Sequence, residues 1–175
     1  MKDGSKLMEI LTSYASAHQH PFNVAVHMIG IPSIMLGAFV AMSWVSADIA
    51  GFTVNLAHIA ALVLFTFYFT LDKLFSLVFL LYAAPIAYFA TVIGAEPVAT
   101  SGIIAATTFF GGYLAQFIGH AVEQSIPVVM RHPIQANLAA PFFTVVEFFK
   151  IAGLRNEMFD EVQRRIAQMR SQESA

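Results

Sequence analysis

The chain contains no cysteine. That excludes disulfides, zinc–thiolate sites and a thiol nucleophile. Charge is also scarce. Asp, Glu, Lys and Arg make up 11% of the 175 residues, where a soluble domain carries about 25%. Between Val24 and Phe117 the only charged side chains are Asp48, Asp72, Lys73 and Glu96. A net charge of −2 leaves no cationic surplus for a nucleic-acid partner. The polar first twenty residues hold no apolar core segment, so no cleavable signal peptide is expected. No internal repeat and no low-complexity segment stands out.

What is abundant is apolar surface: 58% hydrophobic residues, among them 17 Phe. A helix that crosses a bilayer needs roughly 20 mostly apolar residues. Val24–Trp44, Val54–Leu71, Leu74–Ile93 and Gly102–Gly119 supply four such segments. The second is shorter than the first and ends at Asp72–Lys73. Gly30 and Pro32 are expected to kink the first. Loops at Ser46–Thr53 and Gly94–Ser101 carry the turn formers Gly51, Gly94 and Pro97. Leu138–Ala152 is apolar but includes Glu147 and Lys150, and reads as an interfacial or re-entrant helix. Residues 154–170 read as an amphipathic helix, with Phe159, Val162, Ile166 and Met169 on one face and Glu161 positioned to pair with Arg165. The expectation is a single all-α polytopic membrane domain over 1–175, with about four spans. With four crossings every Lys and Arg falls on one side, and the opposite loops hold only Asp48 and Glu96. That asymmetry predicts that both termini are cytoplasmic, in an inner membrane if bacterial or an endoplasmic-reticulum-type membrane if eukaryotic.

Polar chemistry gathers at the predicted cytoplasmic ends of the first and fourth spans. His18, His20, Asn23 and His27 surround Pro21, which suits the first turn of a helix. Asn23 and His27 are i,i+4 neighbours. Gln116, His120 and Glu123 follow i, i+4, i+7 spacing and form one stripe on an otherwise apolar helix. Ionisable groups at membrane depth cost about 2.5–3.5 kcal/mol and need a reason to be there. Neutral imidazole is a common ligand for iron, zinc, copper and nickel. The topology permits the two clusters to meet, and Glu147 to return to the same region. Two plainer roles compete: a helix-entry motif for His-x-His-Pro, and interhelical hydrogen bonding for the stripe. His58 has no polar partner on its helix and reads as structural. Arg131-His132-Pro133 reads as a solvated loop.

The residues Tyr14-x3-His18-x-His20-Pro21-x-Asn23-x3-His27-x2-Gly30-x-Pro32, with Gln116-Phe-x-Gly119-His120-x2-Glu123-x3-Pro127 and Pro141-Phe-x4-Glu147, form a pattern that resembles one membrane family. It is the family of the fungal endoplasmic-reticulum 2-hydroxy fatty acid dioxygenase and its bacterial relatives. The resemblance covers Tyr14 to about Gly153. It implies iron(II)-dependent α-oxidation, in which dioxygen shortens a 2-hydroxy fatty acid by one carbon. His18, Asn23, His27, Gln116, His120 and Glu123 occupy matching positions, and no role is carried over to His132. On this reading Fe(II) is held by His18, His27 and His120, with His20 the next candidate. Glu123 binds the metal or orients a ligand, and Asn23, Gln116 and Glu147 support ligands or substrate. The partners implied are a 2-hydroxy fatty acid, dioxygen and the lipid bilayer. Two other classes remain open. A di-iron lipid hydroxylase or desaturase usually needs more His boxes than this chain has. A transporter or scaffold with structural His would bind no metal.

Overall fold

The structure, a computed structural model, describes residues 3–173 apart from residue 132. Among these residues the elements are α1 (Asp3–Ser16), α2 (Pro21–Ser43), β1 (Ser46–Ile49), β2 (Phe52–Asn55), α3 (Leu56–Phe69), α4 (Lys73–Gly94), α5 (Val98–Glu123), α6 (Val128–Arg131), α7 (Pro133–Ile151) and α8 (Asn156–Glu173). The chain is an all-α polytopic membrane protein. The helices α2, α4 and α5 are each long and apolar enough to cross a bilayer. A fourth crossing is available if α7 and α8, bent by 115° at their junction, act as one broken span.

The helices α2 and α5 pack antiparallel along a seam of small residues. A methyl group added at Gly30 would stand 3.0 Å from the Gly112 carbonyl oxygen, and one at Gly112 would stand 2.7 Å from that of Gly30. One at Gly37 would meet the Ala105 carbonyl at 2.5 Å, and one at Gly119 would collide with the Asn23 amide. The facing positions Asn23/Gly119, Gly30/Gly112 and Gly37/Ala105 advance seven residues at a time on both helices. Seven residues are two turns of a slightly underwound helix, so the same face returns to the partner each time. In lipid there is no hydrophobic force between helices, and close backbone approach at small residues takes its place. The seam brings the start of α2 against the end of α5.

The helix α4 lies against α2, and α3 against α4. At the end far from the histidines, Ser43 Oγ donates to the Ala90 carbonyl at 3.2 Å, Asn55 Nδ2 to Thr91 Oγ1 at 2.8 Å, and Trp44 Nε1 to Ser101 Oγ at 3.2 Å. This end departs from the sequence expectation. The second span, predicted over 54–71, is a helix of 14 residues. That is about 21 Å of helix, short of a hydrocarbon core of about 30 Å. Asn55 stops it: its side chain accepts from the Ala57 and His58 N–H groups, while His58 Nδ1 accepts from the Asn55 N–H at 3.2 Å. His58 therefore has a structural partner, in a capping box. The preceding segment, predicted as a loop, pairs as an antiparallel hairpin from Ser46↔Asn55 to Ile49↔Phe52. Ala50 and Gly51 both have positive φ (51° and 83°), as the tightest hairpin turns require.

At the histidine end, α1, α7 and α8 close the bundle. The apolar face of α7 lays Phe142 against Tyr68 and Phe75, and Phe149 against Phe75. This helix starts at Pro133, five residues before the predicted boundary at Leu138. Val162 and Ile166 of α8 are buried in the same core as Leu7 and Leu11 of α1, and Glu161 accepts from Arg165 at 2.9 Å. Arg155, in the α7–α8 turn, bonds Asp72 at 2.6 Å and lies over the Phe75 ring. That pair ties the α3–α4 turn to the end of the bundle where α2 begins.

Candidate metal centre

His18 follows the last turn of α1, where helix carbonyls lack partners. Its Nδ1 meets the Tyr14 carbonyl at 2.8 Å. His27 lies in the second turn of α2, and its Nδ1 meets the Asn23 carbonyl at 2.9 Å. His120 sits near the end of α5, with Nδ1 2.8 Å from the hydroxyl of Ser125. Ser125 is placed by a turn in which Gln124 takes the left-handed conformation (φ 56°). The three rings are buried, 2%, 2% and 3% exposed, and one ligand atom from each lies within 4.8 Å of the others.

The tautomers follow from the partners. A carbonyl oxygen only accepts, so Nδ1 of His18 and of His27 must carry the proton. Their Nε2 atoms are then bare lone pairs, yet they face each other at 3.1 Å. Two lone pairs at that distance repel unless a positive charge lies between them. The spacing is one that two imidazoles can adopt around a single ion at about 2.1 Å each. Anchoring the far nitrogen of each ring is how metal-binding histidines are oriented. Desolvation by burial, and then the neighbouring His27, push the His18 imidazole down to about 3. His18 is therefore neutral at physiological pH. The donor set fits a transition-metal ion: three neutral imidazoles, preoriented, with no cysteine and no carboxylate among them.

The remaining predicted residues surround this centre at differing distances. Glu123 accepts from the backbone N–H of Gln19 at 2.6 Å and of His20 at 3.1 Å, and from Asn23 Nδ2. It clamps the loop that carries His18 to the end of α5. Asn23 is fully buried and lies 3.5 Å from His120 Nδ1. His20 is outside the trio. It is exposed, and its Nδ1 accepts from the Phe22 N–H at 3.2 Å, capping α2. Glu147 is buried on α7, where it pairs with Lys150 at 3.4 Å beside Leu11, Ala15 and Phe159. Gln116 lines the same cavity as the trio, and its buried Nε2 has no hydrogen-bond partner among the described residues. His132 lies outside the described residues. Sequence reasoning missed Ser125 and gave no role to Tyr14, the first residue of the motif, whose ring stacks on His18 at 4.2 Å and 4°. The Tyr14–His18 spacing of four was visible, but nothing in it separates a stacked pair from a chance one.

A cleft of about 360 Å³ leads away from the trio between α2, α3, α5 and α7. Its polar end holds His18, His27, His120 and Gln116, and Ile31, Met35, Phe39, Leu64, Phe109 and Phe117 line the rest of its length. It reaches Met42, about 22 Å along α2 from His27. That exceeds the ~15 Å half-thickness filled by one leaflet's acyl chains. Val63 and Phe117, both exposed, border its opening toward the lipid-facing side.

Residues 5–151 match the family model described as 2-hydroxy-palmitic acid dioxygenase Mpo1-like. No curated protein and no solved structure matches the chain.

Proposed function

The chain belongs to the 2-hydroxy-palmitic acid dioxygenase Mpo1-like family, and from that premise we propose that it is an Fe(II)-dependent dioxygenase that shortens 2-hydroxy long-chain fatty acids by one carbon. The observation that carries the reading is the pair of bare Nε2 atoms of His18 and His27, facing each other beside His120 at the polar end of an apolar cleft. Three neutral nitrogen ligands leave positions on an iron ion for substrate and dioxygen. A bound Fe(II) supplies the one-electron chemistry that dioxygen needs to react with a closed-shell acid.

The chain's own residues do the rest. The cleft takes the alkyl chain, each buried methylene contributing about 0.8 kcal/mol. That places the carboxylate and the 2-hydroxyl beside the trio. Gln116 Nε2, a buried donor without an acceptor, hydrogen-bonds an oxygen of this head. Such a donor costs free energy until it is paired, which favours the bound acid. Glu123 and Asn23 hold the His18 loop against α5 during turnover. The apolar walls exclude water from the reacting carbon atoms. The bond between C1 and C2 breaks, C1 leaves as carbon dioxide, and C2 becomes the new carboxyl carbon. One dioxygen per substrate balances this with one water formed, so the substrate itself supplies all four electrons and no second cosubstrate is required. Both termini lie on the cytoplasmic side, the side of the Lys and Arg residues.

The test is product identity. Iron-loaded protein given a 2-hydroxy long-chain acid should consume one equivalent of oxygen and release the acid one carbon shorter. The same acid without the 2-hydroxyl should react about 10,000-fold more slowly, the lower end of the scale on which a site built for a hydroxyl rejects its absence. Equal turnover of both, or desaturated products of unchanged length, refutes the reaction.

A further inference from the structure

A second cavity, of about 500 Å³, lies on the other side of Tyr14 from the histidines. It opens between α1, the end of α3 and the start of α7. Its floor is apolar, with Ile10, Phe67 and Phe142, and its rim carries the exposed polar side chains Lys6, Glu9, Ser13 and Gln135. Among the described residues, only Tyr14, Val128 and Ala136 line both cavities. Of the three, Tyr14 is the largest and the most tightly held. It is 7% exposed. One face stacks on His18 at 4.2 Å, and its ring contacts Phe143 at the same centroid distance.

We infer that Tyr14 is a specificity-determining partition, which limits the ligand's polar end to a free carboxylic acid and excludes acids joined through the carboxyl to a larger group. The inference rests on the proposed placement of a 2-hydroxy acid in the cleft. The alkyl chain leaves the trio toward Met42, so anything attached beyond the carboxyl must go the other way. The Tyr14 ring stands in that direction, held between the His18 and Phe143 rings. Behind it lies space that a larger head would fill, with a polar rim able to solvate an amide or an ester. Lipids that carry a 2-hydroxyacyl group in amide linkage therefore stay out, although their chains match the cleft. Removing the ring joins the two cavities and admits them.

The absence of cysteine makes the test direct. A single Gln135→Cys substitution places one thiol on the wall of the second cavity. Its alkylation by a maleimide is timed anaerobically in the full, metal-loaded chain, with a saturating 2-hydroxy long-chain acid or with the N-hydroxyethyl amide of that acid. With Tyr14 present, neither probe should change the rate. In the Tyr14→Ala form the amide should slow alkylation about tenfold, which corresponds to 1.4 kcal/mol, and the free acid should still have no effect. Tyr14→Phe keeps the ring and should match the parent, and Tyr14→Val serves where Tyr14→Ala fails to fold. Protection by the amide with Tyr14 intact overturns the inference, as does no protection in the ring-less form. Because no turnover is involved, a protein that shows this pattern but oxidises neither probe would refute the proposed reaction and leave the partition standing.

Discussion

At the scale of single residues, each histidine of the trio is held by one nitrogen so that the other is free. Two of the anchors are backbone carbonyls, which no substitution of their own side chains removes. The third, the Ser125 hydroxyl on His120, is a side chain and can be tested. Ser125→Ala should weaken metal binding by about 10–100-fold, the usual effect of losing such an anchor, while the protein still folds and inserts. Metal titration of the purified variant measures this, and unchanged affinity would mean that His120 is oriented by Asn23 instead. The three histidines that meet were legible as a candidate site in the sequence because ionisable groups are costly among apolar residues. The distinction between His18 and His20 was not, since two residues that flank a turn point to opposite sides of it. The partner of Glu147 was not legible either: Lys150, one turn away, meets its charge locally. Ser125 escaped notice because the left-handed Gln124 that presents it leaves no mark in residue spacing.

At the scale of elements, the α2–α5 seam determines whether His27 and His120 meet at all. The contact is backbone to backbone, so added side-chain volume cannot be absorbed by a rotamer change. Gly112→Ala should lower the thermal stability of the detergent-purified protein by about 1–3 kcal/mol, the cost of overpacking, and should reduce metal retention as α2 and α5 separate. Gly111→Ala is the matched control, because an added methyl there meets nothing within 4 Å. Helix propensity favours Ala over Gly at both positions, so Gly111→Ala should be neutral or stabilising, and an equal loss in both would show that the seam is not the cause. The long helices were legible from apolar length alone, and their observed ends differ only by a few residues. The hairpin was not. Val54 continues the apolar run of α3, and only the Asn55–His58 capping box marks the boundary, through a His side chain in a place where Glu or Gln is usual. The seven-residue spacing of Asn23, Gly30 and Gly37, and of Ala105, Gly112 and Gly119, was present in the sequence but is shorter than the periods by which repeats are recognised.

At the scale of the whole molecule, charge and site share one end. Arg155 joins Asp72 there, α1 and α8 close over it, and Asp48 and Glu96 lie at the other. The positive side should therefore face the cytoplasm, and reporters fused before Met1 and after Ala175 should both read cytoplasmic. Opposite readings would require an odd number of crossings, such as α2, α4 and α5 alone. A site at this end meets the polar heads of one leaflet while its cleft follows their chains, which suits a reaction at the carboxyl end of a lipid. The proposed reaction rests on the trio holding an iron ion. The most direct measurement is elemental analysis of protein purified anaerobically, beside its His27→Ala form. The account predicts about one iron per chain, as expected for His-rich, cysteine-free ligation, and none in the variant. A closed four-ligand zinc site, or no transition metal at any occupancy, would contradict it.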